Sequence, residues 1–199
     1  MKLLTTGQAK MLDSIGLKKY SKTGSSLMKN AGYFVSEQAK FLLKNIQNPD
    51  ILIICGKGNN GGDGFAAASI LKENHFNVKI LSIISEDKIK GEGLRFFLEC
   101  KKKGVLISFG LDLQSICYPD LIIDGLFGTG FRQSITREIL IYIQWINQSH
   151  SKVLAIDIPS GLNGDTGEVG SIAVEADRTI TFGYPKLGMI LKKGPEYCG

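Results

Sequence analysis

The chain has 199 residues, 43% of them hydrophobic, a length that suits one domain with a continuous core and crowds two. Its 24 basic and 19 acidic side chains leave a formal charge of +5 that is scattered rather than gathered into a stripe, which argues against a nucleic-acid surface. No stretch approaches the roughly 20 apolar residues that span a bilayer, and residues 1–8 lack the apolar core of a signal peptide, so a soluble, cytoplasmic protein is expected.

In chain order, a short helix is expected over residues 6–15. Leu27, Ala31, Val35, Ala39, Leu42, Leu43 and Ile46 then recur at three- and four-residue steps, one apolar stripe on a long helix over residues 25–47. Residues 1–47 thus read as a helical extension of a single domain spanning 1–199, placed to cover a sheet face or to form a dimer interface. After Asn48-Pro49-Asp50, short apolar runs begin at 51–55, 78–84, 105–109, 121–123, 153–158 and 179–182. Helix candidates lie between them at 64–74, 88–103 and 136–148. Runs that are apolar throughout indicate strands buried on both faces, joined by right-handed helical crossovers. The fold class is α/β: a doubly wound, mostly parallel sheet with helices on both faces, a Rossmann-like three-layer αβα arrangement.

Several residue types exclude chemistries. Cys55, Cys100, Cys117 and Cys198 lie far apart, without the paired spacing of a zinc site or a redox dithiol, and read as free thiols in a reducing compartment. His75 and His150 fall at polar helix ends away from the unusual loops, which leaves histidine catalysis and zinc without support. Lys101-Lys102-Lys103 before Gly104 reads as a solvated helix C-terminus.

Ligands of open parallel sheets bind beyond the carboxyl ends of the strands, and three such ends carry unusual loops. The first, GKGNNGGDG at 56–64, satisfies G-x-G-x-x-G with Gly56, Gly58 and Gly61. Asp63 sits poorly with a pyrophosphate laid on the following helix, and the loop lacks the lysine of a P-loop. Asp63 is either an N-cap or a ligand group. Asn59 and Asn60 tolerate left-handed backbone and offer amide groups to hydroxyls, phosphates or a hard cation. The second loop starts at Asp124 and runs through Gly128, Thr129 and Gly130 to Arg132 and Ser134; it is either a phosphate-holding turn or a tight connection plugged by Leu126 and Phe127. In the third, Asp157 ends a strand before Pro159-Ser160-Gly161. A carboxylate there can act as general acid or base, because partial burial raises a carboxyl pKa toward neutrality. Three such loops on one sheet edge point to a ligand site whose chemistry is carried by carboxylates, hydroxyls, amides and backbone.

GKGNNGGDGFAAA, DGLFGTGFRQS, AIDIPSGLNGDTG and TITFGYPKLGM, in that order and spacing, resemble the NAD(P)H-hydrate epimerase family, also called the YjeF N-terminal domain; SLMKNAGYFVSEQA resembles its M-E-N-A-G segment. The resemblance implies interconversion of the R and S forms of hydrated NADH and NADPH, so that an S-specific dehydratase recovers both. It implies substrate contacts from Asn59, Asn60, Gly61, Gly62, Asp63, Gly128, Thr129, Gly130, Phe131, Arg132, Gln133, Ser134 and Asp157. It also implies one potassium ion per subunit held by Asn60, Asp124 and Ser160, and a homodimer. Asp157 is the expected proton-transfer residue. Lys29 stands where the family has glutamate, and Lys57 adds charge beside the first loop. In this family a segment like GPEYCG leads on to a further strand, so the chain is expected to be truncated or to be the front of a bifunctional epimerase and dehydratase. A non-catalytic binding module of the same fold is the alternative; retention of Asp63, Asp124 and Asp157 weighs against it. An ordinary Rossmann oxidoreductase would need an acidic residue roughly 20 positions beyond the first loop.

Overall fold

The computed structural model describes residues 2–19, 23–110, 113, 116–129 and 135–199. Six strands form one sheet: β1 (Asp50–Cys55), β2 (Asn77–Ser82), β3 (Leu106–Phe109), β4 (Leu121–Gly125), β5 (Lys152–Ile156) and β6 (Arg178–Ile180). Their order is β3-β2-β1-β4-β5-β6 and every pairing is parallel. The chain winds outward one way from β1, returns across it, and winds out the other way. Between β1 and β4 the strand order reverses, the place where open α/β sheets bind ligands.

Successive strand residues point to opposite faces, so each strand feeds two cores. Ile51, Ile53, Ile80, Ile123 and Ile156 pack toward α2 (Gly24–Leu43), α3 (Asn59–Glu73) and α4 (Gly91–Lys102) through Val35, Phe65 and Phe97. Leu52, Ile54, Leu81 and Ile122 pack on the other face against Tyr142, Ile143 and Ile146 of α5 (Arg137–Gln148). The apolar runs of β1, β4 and β5 are strands buried on both sides, as expected, whereas β3 and β6, expected to be buried likewise, are the sheet's edges and stay exposed or half-buried. Of the two roles open to the long N-terminal helix, covering a sheet face is the one observed: Met28, Val35, Ala39 and Leu43 of α2 are core residues. Cys55, Cys100 and Cys198 are buried free thiols and Cys117 is exposed.

Element boundaries differ from the sequence reading in three informative places. α3 starts at Asn59, five residues before the expected 64, because Gly58 takes φ +104° and turns the chain straight from strand to helix. α2 stops at Leu43 rather than 47, and β2 ends at Ser82 rather than 84. The helix α1 (Thr6–Lys19) packs outside the two cores, and Met11, Leu12, Ile15 and Leu17 on it are exposed. Its start is pinned by Thr6, whose backbone N–H and hydroxyl donate to Asp165 at 2.6 and 2.8 Å. The chain closes with α6 (Gly194–Cys198), whose end lies against β6 through a 2.8 Å bond from the Thr179 hydroxyl to the Cys198 carbonyl. None of the described helices is long and apolar enough to cross a membrane.

Candidate active site

The three unusual loops leave the carboxyl ends of β1, β4 and β5, which are neighbours in the sheet. Between β1 and α3 only Gly56, Lys57 and Gly58 are loop. Gly56 donates its N–H to the Gly125 carbonyl at 3.0 Å, and a Cβ on it would lie 1.9 Å from the Leu126 carbonyl oxygen. Glycine is required there because the β1 and β4 loops touch backbone to backbone. Asn59, Asn60, Gly61 and Gly62 form the first turn of α3, which no side chain caps. The open N–H groups of that turn are what a phosphate binds.

Asp63 is consequently one turn inside α3 and is not its N-cap, which overturns that reading of the residue. Burial, and then the carboxylates of Asp157 and Asp13, push its carboxyl well above the usual carboxylate range. A carboxyl held toward its neutral form presents less charge to a phosphate, which removes the objection to an anion beside it.

Asp124, the fourth residue of β4, is 0% exposed. One carboxylate oxygen accepts from the Ser160 hydroxyl at 2.7 Å and the Leu126 N–H at 3.1 Å; the other accepts from the Ser160 N–H at 2.8 Å. Burial outweighs these hydrogen bonds and raises its pKa to about 6. No ion pair reaches Asp124 among the described residues. The Ser160 hydroxyl also accepts from the Phe127 N–H at 2.9 Å, so Ser160 ties the β4 and β5 loops together.

Asn60 is buried, and among the described residues its side-chain Nδ2 has no hydrogen-bond partner. Such an orphaned polar group in a native interior calls for an explanation, and a bound ligand is one. A Cβ placed on Gly128 would lie 3.0 Å from Asn60 Oδ1 and 3.4 Å from Asp157 Oδ2. Gly128 is thus the bare floor of a cradle between an amide and a carboxylate. Thr129 follows it in the same loop; Gly130, Phe131, Arg132, Gln133 and Ser134 lie outside the described residues.

Asp157 follows β5 directly and holds a left-handed backbone, φ +68°, which is strained for a non-glycine residue. Its N–H donates to the Ile180 carbonyl at 2.7 Å, and its Oδ1 accepts from the Thr181 hydroxyl at 3.3 Å and from the Lys186 ammonium. Lys186 is 2% exposed. Its ammonium also donates to the Thr181 hydroxyl at 2.8 Å and the Phe182 carbonyl at 3.3 Å. Sequence reasoning missed Lys186 and Asp13. The lysine sits inside TITFGYPKLGM, where a lone lysine after proline gives no signal of burial. Asp13 on α1 lies near enough to Asp157 and Lys186 for both to act on its carboxyl, which burial and Asp157 raise and Lys186 lowers.

A family model described as "YjeF-related protein N-terminus" matches residues 24–188. An NAD(P)H-hydrate epimerase of Rhodopirellula baltica is 32% identical over 93% of this chain and 76% of its own length; one of Oenococcus oeni is 32% identical over 98% and 92%. A bifunctional NAD(P)H-hydrate repair enzyme of Thermofilum pendens is 35% identical over the whole chain, which spans 39% of that enzyme. The chain likewise spans about two fifths of the other bifunctional relatives, such as that of Moorella thermoacetica. The crystal structure of the yeast protein YNL200c superposes with a TM-score of 0.86 at 19% identity, over 94% of this chain and 83% of that one, and shows the same fold. On the match over residues 24–188 and the epimerases that align over three quarters or more of their length, this chain belongs to the YjeF N-terminal, or NAD(P)H-hydrate epimerase, family.

Proposed function

We propose that this chain epimerises hydrated NADH and NADPH at C6 of the nicotinamide ring. One observation carries the reading: Asn60, Gly128 and Asp157, from three adjacent strand ends, converge on one cradle beside the uncapped first turn of α3. The helix N-terminus suits the pyrophosphate, and the cradle offers an amide and a carboxylate to a hydrated ring. Substrate contacts are assigned to Asn59, Asn60, Gly61, Gly62, Asp63, Gly128, Thr129 and Asp157, with Gly130, Phe131, Arg132, Gln133 and Ser134 completing the second loop.

The chemistry needs one proton. The C6–O bond breaks as the ring-nitrogen lone pair forms a C=N bond, and the departing hydroxyl leaves as water after taking a proton through Asp157. Water adds back to either face of the planar carbon and returns that proton, so the stereocentre is lost and reset with no net consumption.

Potassium is the proposed cofactor, one ion per subunit. Asn60, Asp124 and Ser160 fit it: all three offer hard oxygen donors, and Asp124 is a buried carboxylate with no cation beside it among the described residues. One carboxylate among neutral oxygens matches a monovalent ion, and its charge would offset Asp124 beside the phosphates. The reading extends to an S-specific dehydratase as functional partner, fused or separate, to a homodimer that uses the exposed Tyr33, Phe34 and Phe41 of α2, and to a cytoplasmic location.

The test mixes purified protein with an S-specific dehydratase and an R/S mixture of hydrated NADH. Epimerase activity drives recovery of NADH beyond the S fraction. If the R fraction remains while the protein binds the hydrate, the chain is a binding module and the reading fails. Substituting sodium for potassium in the same assay tests the ion.

A further inference from the structure

We propose that Lys186 is the positioning residue for Asp157, holding one carboxylate oxygen so that the other faces the reacting ring; this rests on the epimerase reading above. The two oxygens of Asp157 have different neighbours. Oδ1 accepts from the Lys186 ammonium and the Thr181 hydroxyl. Oδ2 is the oxygen that lies 3.4 Å from the point where a Cβ on Gly128 would stand, at the mouth of the Asn60 cradle.

Lys186 is itself fixed on every side. Leu4 donates its N–H to the Pro185 carbonyl at 3.0 Å and accepts from the Leu187 N–H at 2.9 Å, an isolated bridge that clamps the lysine backbone. The Thr181 hydroxyl and the Phe182 carbonyl take two further ammonium hydrogens. A buried ammonium with three oxygen partners cannot swing to solvent, so its direction fixes that of the carboxylate. The backbone of Asp157 sits in the left-handed region, a strained conformation that persists only when its surroundings hold it, and the Lys186 and Thr181 contacts are part of that hold.

A neutral isostere at 186 can fill the volume but leaves Oδ1 without its cation, so Oδ2 is no longer held toward the departing hydroxyl.

The test compares Lys186→Met, Lys186→Ala and Thr181→Val with the full wild-type chain in the coupled dehydratase assay, with folding followed by circular dichroism. Lys186→Met is expected to lose about a hundredfold or more in kcat while KM for the hydrate changes less than threefold. Lys186→Ala is expected to regain at least tenfold in kcat when ethylammonium is added, whereas tetramethylammonium, which cannot donate a hydrogen bond, gives nothing. Thr181→Val, which leaves the ion pair, is expected to lose about tenfold in kcat and keeps the proposal testable if the lysine variants do not fold. A folded Lys186→Met with wild-type kcat overturns the proposal, as does a loss confined to KM or, should neither lysine variant fold, a Thr181→Val with wild-type kcat. Absence of epimerisation by the wild-type chain itself is a separate outcome that refutes the underlying reading.

Discussion

The Asp124 carboxyl makes a prediction whose size follows from the structure. Its folded-state pKa of about 6 stands above the ordinary value of 3.8 because burial penalises the charged form. A raised folded pKa means the native state binds this proton more tightly than the unfolded chain does. The stabilisation is therefore fully present below pH 3.8 and is lost as pH rises through about 6. Two units and a little more correspond to about 3 kcal/mol. Asp63 and Asp13 are shifted in the same direction and add to the slope, so the wild-type curve alone does not isolate Asp124.

Asp124→Asn isolates it. The amide cannot ionise, but its NH2 must face either the Ser160 N–H or the Leu126 N–H, both of which now donate to carboxylate oxygens. That mismatch costs about 1–3 kcal/mol and does not depend on pH. Urea unfolding followed by circular dichroism, in buffers whose only cation is tetramethylammonium, should find the variant less stable than wild type at pH 4. By pH 7 the difference should have moved about 2.5 kcal/mol in the variant's favour, enough to offset most or all of it. Potassium at pH 7.5 should raise wild-type stability, by about 2.7 kcal/mol at a hundred times its Kd, and leave the variant unchanged. Below pH 6 protons compete for the same carboxylate and the gain should shrink. Parallel wild-type and variant curves from pH 4 to 7 would refute the burial argument; a gain equal in sodium and potassium would refute the ion's identity.

Three further substitutions separate chemistry, binding and packing. Asp157→Asn keeps a carbonyl for the Lys186 ammonium, so the chain should fold and bind hydrated NADH but lose roughly 10²- to 10⁴-fold in kcat in the coupled assay. Gly128→Ala puts a methyl group 3.0 Å from Asn60 Oδ1 and 3.4 Å from Asp157 Oδ2; KM should rise at least tenfold with little change in unfolding temperature. Gly32→Ala, at the α2–α3 contact, places its Cβ 2.5 Å from the Ala66 Cβ and 2.8 Å from the backbone of Ala66 and Ala67. Forcing α2 from α3 should cost about 1–3 kcal/mol in urea unfolding and leave the kcat of the folded fraction unaltered.

The sheet was legible because burial on both faces leaves a plain mark. A strand that feeds two cores has no polar alternate positions, and the runs at 51–55 and 121–123 show that directly. Helix starts were less legible for a specific reason. GKGNNGGDG reads as loop from end to end, since glycine and asparagine are poor helix formers. Yet Asn59 to Gly62 are helical, because β1 must turn at once to let α3 lie on the sheet, and Gly58 permits that turn. Tertiary packing overrides propensity there, and the override is what leaves free N–H groups at the strand tip.

The carboxylates announced themselves and the lysine did not, and the asymmetry has a physical cause. An aspartate at the end of an apolar run is conspicuous because it breaks a hydrophobic pattern, as Asp124 and Asp157 do. A lysine between proline and leucine breaks nothing, since surface lysines are common. Its burial depends on Leu4, 182 positions away, and on Asp157, 29 positions away, neither of which any local window contains. A buried ammonium is tolerable only against a charge already in place, so the inference had to run from the carboxylate outward. Asp157, in strained backbone beyond a parallel strand, needs a fixed cation nearby. The segment that follows β6 brings it, with Lys186 on Asp157 Oδ1.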